Sequence, residues 1–284
     1  MDNHDSGIIW LASYPKSGNT WTRVFLHNLL DLENGEPVSE PDINRLNRFS
    51  VWDVSARRYE EILGRHPGFC SRADIARVRP LIQQQIVDEA DGVAFVKTHN
   101  ALIMDRGSPA INMKVTSGAI YIIRNPLDVA VSFAHHIDAD LDAAIEIMGR
   151  EGMETRMNEA AVYEVYGSWS AHVDSWTRSG HRAIHVMRYE DMSEQPFATF
   201  RKLANFLLLD PSDAILRRAI ELSSFERLSA QEKKSGFQEK PQNRSRFFRK
   251  GKTGSWRDEL NPAQVARIMR DHEALMRKFG YWPE

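Results

Sequence analysis

The chain has one cysteine, Cys70, so no disulfide can form within it. Its 284 residues must therefore fold on an apolar core, which suits a reducing compartment. Charge of one sign is also missing. The 37 Lys and Arg residues against 39 Asp and Glu leave a formal charge of -2, which excludes a globally basic nucleic-acid binder while allowing local basic sites. Long apolar runs are absent too. The amino terminus carries Asp2 and Asp5 with no basic cluster, and the apolar run 8–12 is far too short for a signal-peptide core or a membrane span. The expectation is a cytoplasmic protein with neither membrane nor nucleic acid among its partners. Repeats and low-complexity tracts are lacking as well, so residues 1–284 read as one domain.

What is present is an alternation of strands and helices. Residues 7–14 (GIIWLASY) read as a buried strand, 15–20 as a loop, and Trp21, Val24, Phe25, Leu29 and Leu32 recur at helical spacing. Further apolar strands are expected at 93–97, 119–124 and 183–189. After the third strand Asn125 suits an N-cap, Pro126 the first helical position and Asp128 the positive helix end. Helices are also expected at 160–179, after Asp210-Pro211, and after Asn261-Pro262 with Val265, Met269, His272 and Met276 on one stripe. This order predicts an α/β fold, a parallel sheet flanked by helices, with ligands at the carboxyl ends of the strands. Lys16, His99 and Arg124 all fall just past strand ends.

Four segments carry chemistry. The loop Tyr14-Pro15-Lys16-Ser17-Gly18-Asn19-Thr20-Trp21 opens a helix, where backbone N–H groups and the helix dipole favour an anion. A polar turn is the plain alternative. The loop is not a GxxxxGK(S/T) motif, because Lys16 precedes its only glycine, so the magnesium arrangement of nucleoside triphosphatases is not expected. Arg124 and Ser132 sit eight positions apart, placed to grip one phosphate from two sides; pairing of Arg124 with Asp128 is the competing reading. Residues 240–256 hold six basic side chains (Lys240, Arg244, Arg246, Arg249, Lys250, Lys252) and no acidic one, with Phe247, Phe248 and Trp256 interleaved. That composition predicts an anion-cradling loop, mobile until a phosphate gathers its cations; a nucleic-acid patch is the weaker alternative. His99, beside Lys97 and Thr98, suits a general base, though a lone histidine there is more often structural.

Together these segments resemble the sulfotransferases that use 3′-phosphoadenosine 5′-phosphosulfate (PAPS). YPKSGNTW resembles their 5′-phosphosulfate loop, IIRNPLDVAVS their 3′-phosphate motif, RKGKTGSW their RKGxxGDW segment, and KTH the strand end with the family's catalytic histidine. The four stand in the family's order from Tyr14 to Trp256. The resemblance implies a P-loop-like sulfotransferase fold and roles residue by residue. Lys16 holds the bridging oxygen of the leaving phosphate, with Ser17, Gly18, Asn19 and Thr20 around the 5′-phosphosulfate. Arg124 and Ser132, joined by Arg249, Lys250 and Gly251, bind the 3′-phosphate. Trp21 and Phe225 sandwich the adenine, with Tyr189 and Ser223 hydrogen-bonding near it. His99 takes the proton of a small-molecule hydroxyl acceptor, and Lys97 supports the sulfuryl group. No metal is required on this reading. Three departures stand out: Ser255 replaces an aspartate, Asn100 replaces a leucine after KTH, and no KxxxTVxxxE dimer segment is present, leaving monomer or homodimer open. A P-loop kinase and a non-catalytic binder of adenosine 3′,5′-bisphosphate (PAP) are the other readings. The first wants a Walker lysine; the second does not need both Lys16 and His99. Acceptor-pocket walls are expected from 31–49, 78–86 and 137–166, with Trp52, Phe133, His135, His136, Tyr163 and Tyr166 as candidates.

Overall fold

The computed structural model describes residues 6–36, 42–240 and 246–283. Arg244 of the basic run, and Asp2 and Asp5 of the amino terminus, lie outside them. Five strands form one parallel sheet: β1 (Gly7–Ser13), β2 (Ser50–Trp52), β3 (Val93–Thr98), β6 (Thr116–Ile123) and β7 (Ile184–Arg188), in the order β2-β3-β1-β6-β7. A two-stranded hairpin, β4 (Met104–Asp105) with β5 (Ser108–Pro109), lies apart from it. β1 and β6 are apolar almost throughout because helices cover both of their faces. Alternation along them separates two cores. Ile8, Trp10, Ala12, Ala119, Tyr121 and Ile123 face one way, and Leu11, Ile120 and Ile122 face the other.

The first face packs on α3 (Ala56–Leu63), α4 (Arg72–Glu89), α5 (Pro126–Ile137), α6 (Leu141–Gly149), α7 (Trp169–Thr177) and α12 (Pro262–Lys278). The second packs on α1 (Asn19–Glu33), α8 (Tyr189–Glu194), α9 (Pro196–Phe206) and α10 (Asp213–Leu222). A third, smaller cluster joins α1 to the short α2 (Leu46–Phe49) and to α11 (Phe225–Ser235) through Val24, Leu46, Leu228, Phe237 and Phe248. The chain leaves β1 for β2 and β3 on one side and later lays down β6 and β7 on the other. The strand order therefore reverses beside β1, where open parallel sheets place their ligand crevice. Among the described residues no helix is long and apolar enough to cross a membrane.

Most element starts follow the expected caps. Asn125 accepts from the Leu127 N–H at the start of α5, and Asn261 and Gln264 form a capping box on α12. The expected helix 160–179 forms only in its second half, as α7 from Trp169. Residues 161–166 form no helix but carry single antiparallel bridges at Ala161 and Val165: the Val162 N–H donates to Val54, that of Tyr166 to Met153, and that of Ala101 to the Val165 carbonyl. Gly167 then turns at φ +63°, and the Ser168 side chain caps α7. The helical spacing of Val162, Tyr166, Val173 and Trp176 thus arises from burial on both sides of a turn. β2 escaped the sequence reading because three residues carry no periodicity. The helix after Asp210-Pro211 begins two residues later than expected, capped by Ser212.

Candidate active site

One cavity of about 720 Å³ opens at the carboxyl ends of β1, β3 and β6. Lys16, Gly18, Asn19, Thr20, Trp21, Lys97, His99, Arg124, Ser132, Tyr189, Phe225, Arg249, Lys250 and Gly251 all line it. Ser17 is buried in the same loop without lining the cavity. Ser223 is not brought there: it ends α10, accepting from the Asn28 amide at 3.0 Å and donating to the Ala219 carbonyl at 2.7 Å.

The loop between β1 and α1 is held in an unusual backbone path. Lys16 lies at φ +67° and Gly18 at φ +106°. A Cβ at Gly18 would come within 2.8 Å of the Tyr189 ring, so glycine is required both by conformation and by space. The Asn19 amide anchors the loop by donating to the Leu11 carbonyl at 2.8 Å. Lys16 has no carboxylate partner among the described residues; its ammonium lies 4.2 Å from the Phe247 ring centroid. Burial, with Arg124 and Lys97 nearby, lowers its pKa to about 8. The Arg124 guanidinium stacks 4.1 Å from the Tyr189 ring and donates to the carbonyls of Lys16 and Lys252. It does not pair with Asp128. Its Nε, the Ser17 hydroxyl and the Trp21 Nε1 are buried without a partner among the described residues. Buried donors are rarely left unpaired, and three cations that repel one another want an anion between them.

His99 is placed by its neighbours. Its Nδ1 lies 2.7 Å from the Ser13 carbonyl, which can only accept, so Nδ1 carries the ring proton and Nε2 keeps its lone pair. Burial first, and Lys97 second, hold its pKa well below the usual histidine range. The ring is therefore neutral near pH 7 with Nε2 available as a base. Lys97 lies over the Trp52 ring at 4.4 Å and 3.4 Å from the Glu239 carboxylate, which also accepts from Arg23 at 2.7 Å.

The carboxyl-terminal loop corrects one expectation. Its cations are not partnerless: Glu259, just past the basic run, accepts from Arg249 at 3.0 Å and from Lys250 at 2.6 Å. Arg249 also contacts His135. Two further carboxylates tie the loop down. Glu232 accepts from the N–H groups of Phe247 and Phe248, and Asp128 from Gly254 N–H, the Ser255 hydroxyl and Trp256 N–H. Asp128 thus anchors a loop more than a hundred positions away, besides sitting at the start of α5. Gly251, at φ +61°, passes against the Phe225 ring too closely for any Cβ.

Of the acceptor candidates, Trp52, His136 and Tyr166 line the cavity. Phe133 and Tyr163 are core, Tyr163 donating to Asp105 at 2.6 Å. Residues 31–36, 42–46, 49 and 78–86 contribute nothing to its walls, and 37–41 lie outside the described residues. Glu164, Glu239 and Glu259 escaped sequence reasoning, because carboxylates at scattered positions carry no pattern until the fold gathers them.

A parallel sheet with a donor-rich loop after β1 and a neutral histidine after β3 gives this cavity the parts for group transfer from an anionic donor. Residues 7–280 match the model of the sulfotransferase domain family, and the chain belongs to that family and is a sulfotransferase. It is 26% identical to human sulfotransferase 1E1 over 94% of this chain and 83% of that protein. It is 24% identical to flavonol 4′-sulfotransferase of Flaveria chlorifolia over 92% and 76%. In fold it is similar to mouse sulfotransferase SULT7A1 complexed with PAP (TM-score 0.63, 21% identity, 95% and 84% covered). It is also similar to retinol dehydratase in a complex with retinol and PAP (TM-score 0.65, 20% identity, 95% and 81% covered).

Proposed function

We propose that this sulfotransferase, one domain over residues 1–284, moves a sulfuryl group from PAPS to the hydroxyl of a small acceptor, with His99 as general base. The observation that carries this reading is the convergence of Lys16, Lys97 and Arg124, with buried unpaired donors, on the cavity that also holds His99 Nε2. Those orphaned donors fit a doubly anionic nucleotide. When bound, the donor supplies a sulfuryl group on a good leaving group, and positioning with electrostatics then carries most of the rate.

The chain's own residues divide the work. Lys16 faces the leaving phosphate and remains charged at neutral pH. Ser17, Gly18, Asn19 and Thr20 bind the 5′ end. Arg124, Ser132, Arg249, Lys250 and Gly251 bind the 3′-phosphate. Trp21, Phe225 and Tyr189 hold the base; Ser223, which does not line the cavity, has no direct part. His99 Nε2 accepts the acceptor's proton while the Ser13 carbonyl holds the imidazolium from the far side. Lys97 must exchange Glu239 for the transferring group. No resident metal enters this scheme.

The test is transfer of labelled sulfate from PAPS to an acceptor panel in excess chelator, beside calorimetric PAP titration. Transfer and binding are expected. Failure of PAP to bind would overturn the donor assignment, and dependence on added magnesium would favour the kinase reading.

A further inference from the structure

The wall of the cavity beside His99 carries a carboxylate that donor binding does not use. Glu164 lies on the bridged segment before α7, and its Oε1 accepts from the His99 backbone N–H at 2.9 Å. Its Oε2 has one long contact, 3.4 Å from the Tyr166 hydroxyl. Neither partner is a cation, and no ion pair of Glu164 occurs among the described residues. Burial pushes its carboxyl up from the usual range, with Lys97 acting the other way. Lys97 itself is engaged by Glu239. A desolvated carboxylate with lone pairs to spare gains from one more donor.

The position is rigid. The Glu164 N–H donates to the Thr155 hydroxyl at 2.8 Å, its carbonyl accepts from Thr155 N–H at 2.9 Å, and Val165 N–H donates to the Asn100 side chain at 2.8 Å. Thr155, Arg156, Asn158 and His136 continue the polar wall, while Trp52 and Val162 supply apolar surface opposite in character. A pocket built for a plain hydrocarbon-bearing alcohol would leave this desolvated carboxylate with only one short and one long hydrogen bond in the bound complex, which is costly.

We propose that Glu164 is a specificity-determining residue that receives a second hydrogen-bond donor of the acceptor, a hydroxyl or amino group on the atom next to the hydroxyl that is sulfated. The substrate class is therefore a vicinal diol or amino alcohol, aromatic or aliphatic. This rests on the sulfotransferase reading of the site. It makes Glu164 a discriminator between acceptors, separate from the donor half.

The experiment compares phenol, catechol and 2-aminophenol, each as a ligand of the PAP-loaded protein and as an acceptor from PAPS. Wild type is expected to favour catechol or 2-aminophenol over phenol by about ten- to a hundred-fold in kcat/KM or in affinity. The preference should vanish in Glu164→Val and shrink in Glu164→Gln, which keeps an oxygen for the His99 N–H. PAP affinity should stay within about twofold throughout, a split that general misfolding would not give. A wild-type preference below about threefold in both measurements overturns the proposal whether or not the variants fold, and so does an undiminished preference in Glu164→Gln. Loss of PAP binding by wild type would instead sink the donor reading.

Discussion

Two basic regions meet in the cavity, and they hold their charge differently. Lys16 and Arg124 come from loops at the ends of β1 and β6, are half-buried and buried respectively, and pair with no carboxylate among the described residues. Arg249 and Lys250 come from a loop with no regular structure, are half-exposed, and share Glu259. The same residue types therefore differ in readiness. Lys16 and Arg124 lost much of their hydration when the chain folded, so an incoming anion displaces no carboxylate from them. Arg249 and Lys250 must trade one anion for another, and the trade yields only the difference. On the proposed reading, desolvated charge supplies the main anchor at each end of the nucleotide, and charge already paired only trims affinity at one of them.

The largest effect should come from the catalytic centre that the buried region frames. His99→Ala is expected to lower kcat by about 10²–10⁴-fold with PAP affinity nearly intact, measured by sulfate transfer and calorimetry. Because burial holds the His99 pKa low, the base is unprotonated across neutral pH. The acidic limb of kcat/KM should therefore fall below the ordinary histidine range and disappear in the variant. Retention of half the wild-type turnover on an unactivated alcohol would move the base elsewhere, with His136 on the same wall the next to test.

Next comes the contrast itself. Arg124→Ala should weaken PAP by about ten- to a hundred-fold, and a nucleotide without the 3′-phosphate far less. Equal weakening of both would take Arg124 out of the 3′ site. Lys16 gives a pH signature of the same buried region. Its pKa of about 8 means the charge is full below that pH and lost as pH rises through it. PAP affinity should then decline above pH 8, by at most about tenfold per unit, and Lys16→Arg should abolish the decline. A flat profile in wild type would show that Lys16 does not meet the nucleotide. The smallest effect is expected from the paired region: Lys250→Ala should cost under about fivefold in PAP affinity. A loss as large as that of Arg124→Ala would erase the distinction between the two regions.

Much of this was legible because local chemistry repeats at fixed offsets. The β1 strand, the loop after it and the helix starts at Asn125-Pro126 and Asn261-Pro262 all follow from neighbours within a few residues, and the structure bears them out. Four motif segments in order were enough to read the family and the α/β fold. Where long-range contacts decide, the reading failed. Residues 161–166 have helical spacing yet form no helix, because bridging hydrogen bonds to Val54, Met153 and Ala101 offset what a helix would give.

By itself, then, the sequence determined the class of protein and the sheet's apolar strands, since each depends on residue type and short spacing. Only the tertiary structure decided which nitrogen of His99 is bare, which cations already have partners, and that Glu164 stands beside the base. Those facts depend on Ser13, Glu259 and the bridged segment before α7 arriving from distant parts of the chain, and the energy of a buried charge is set by what surrounds it in space.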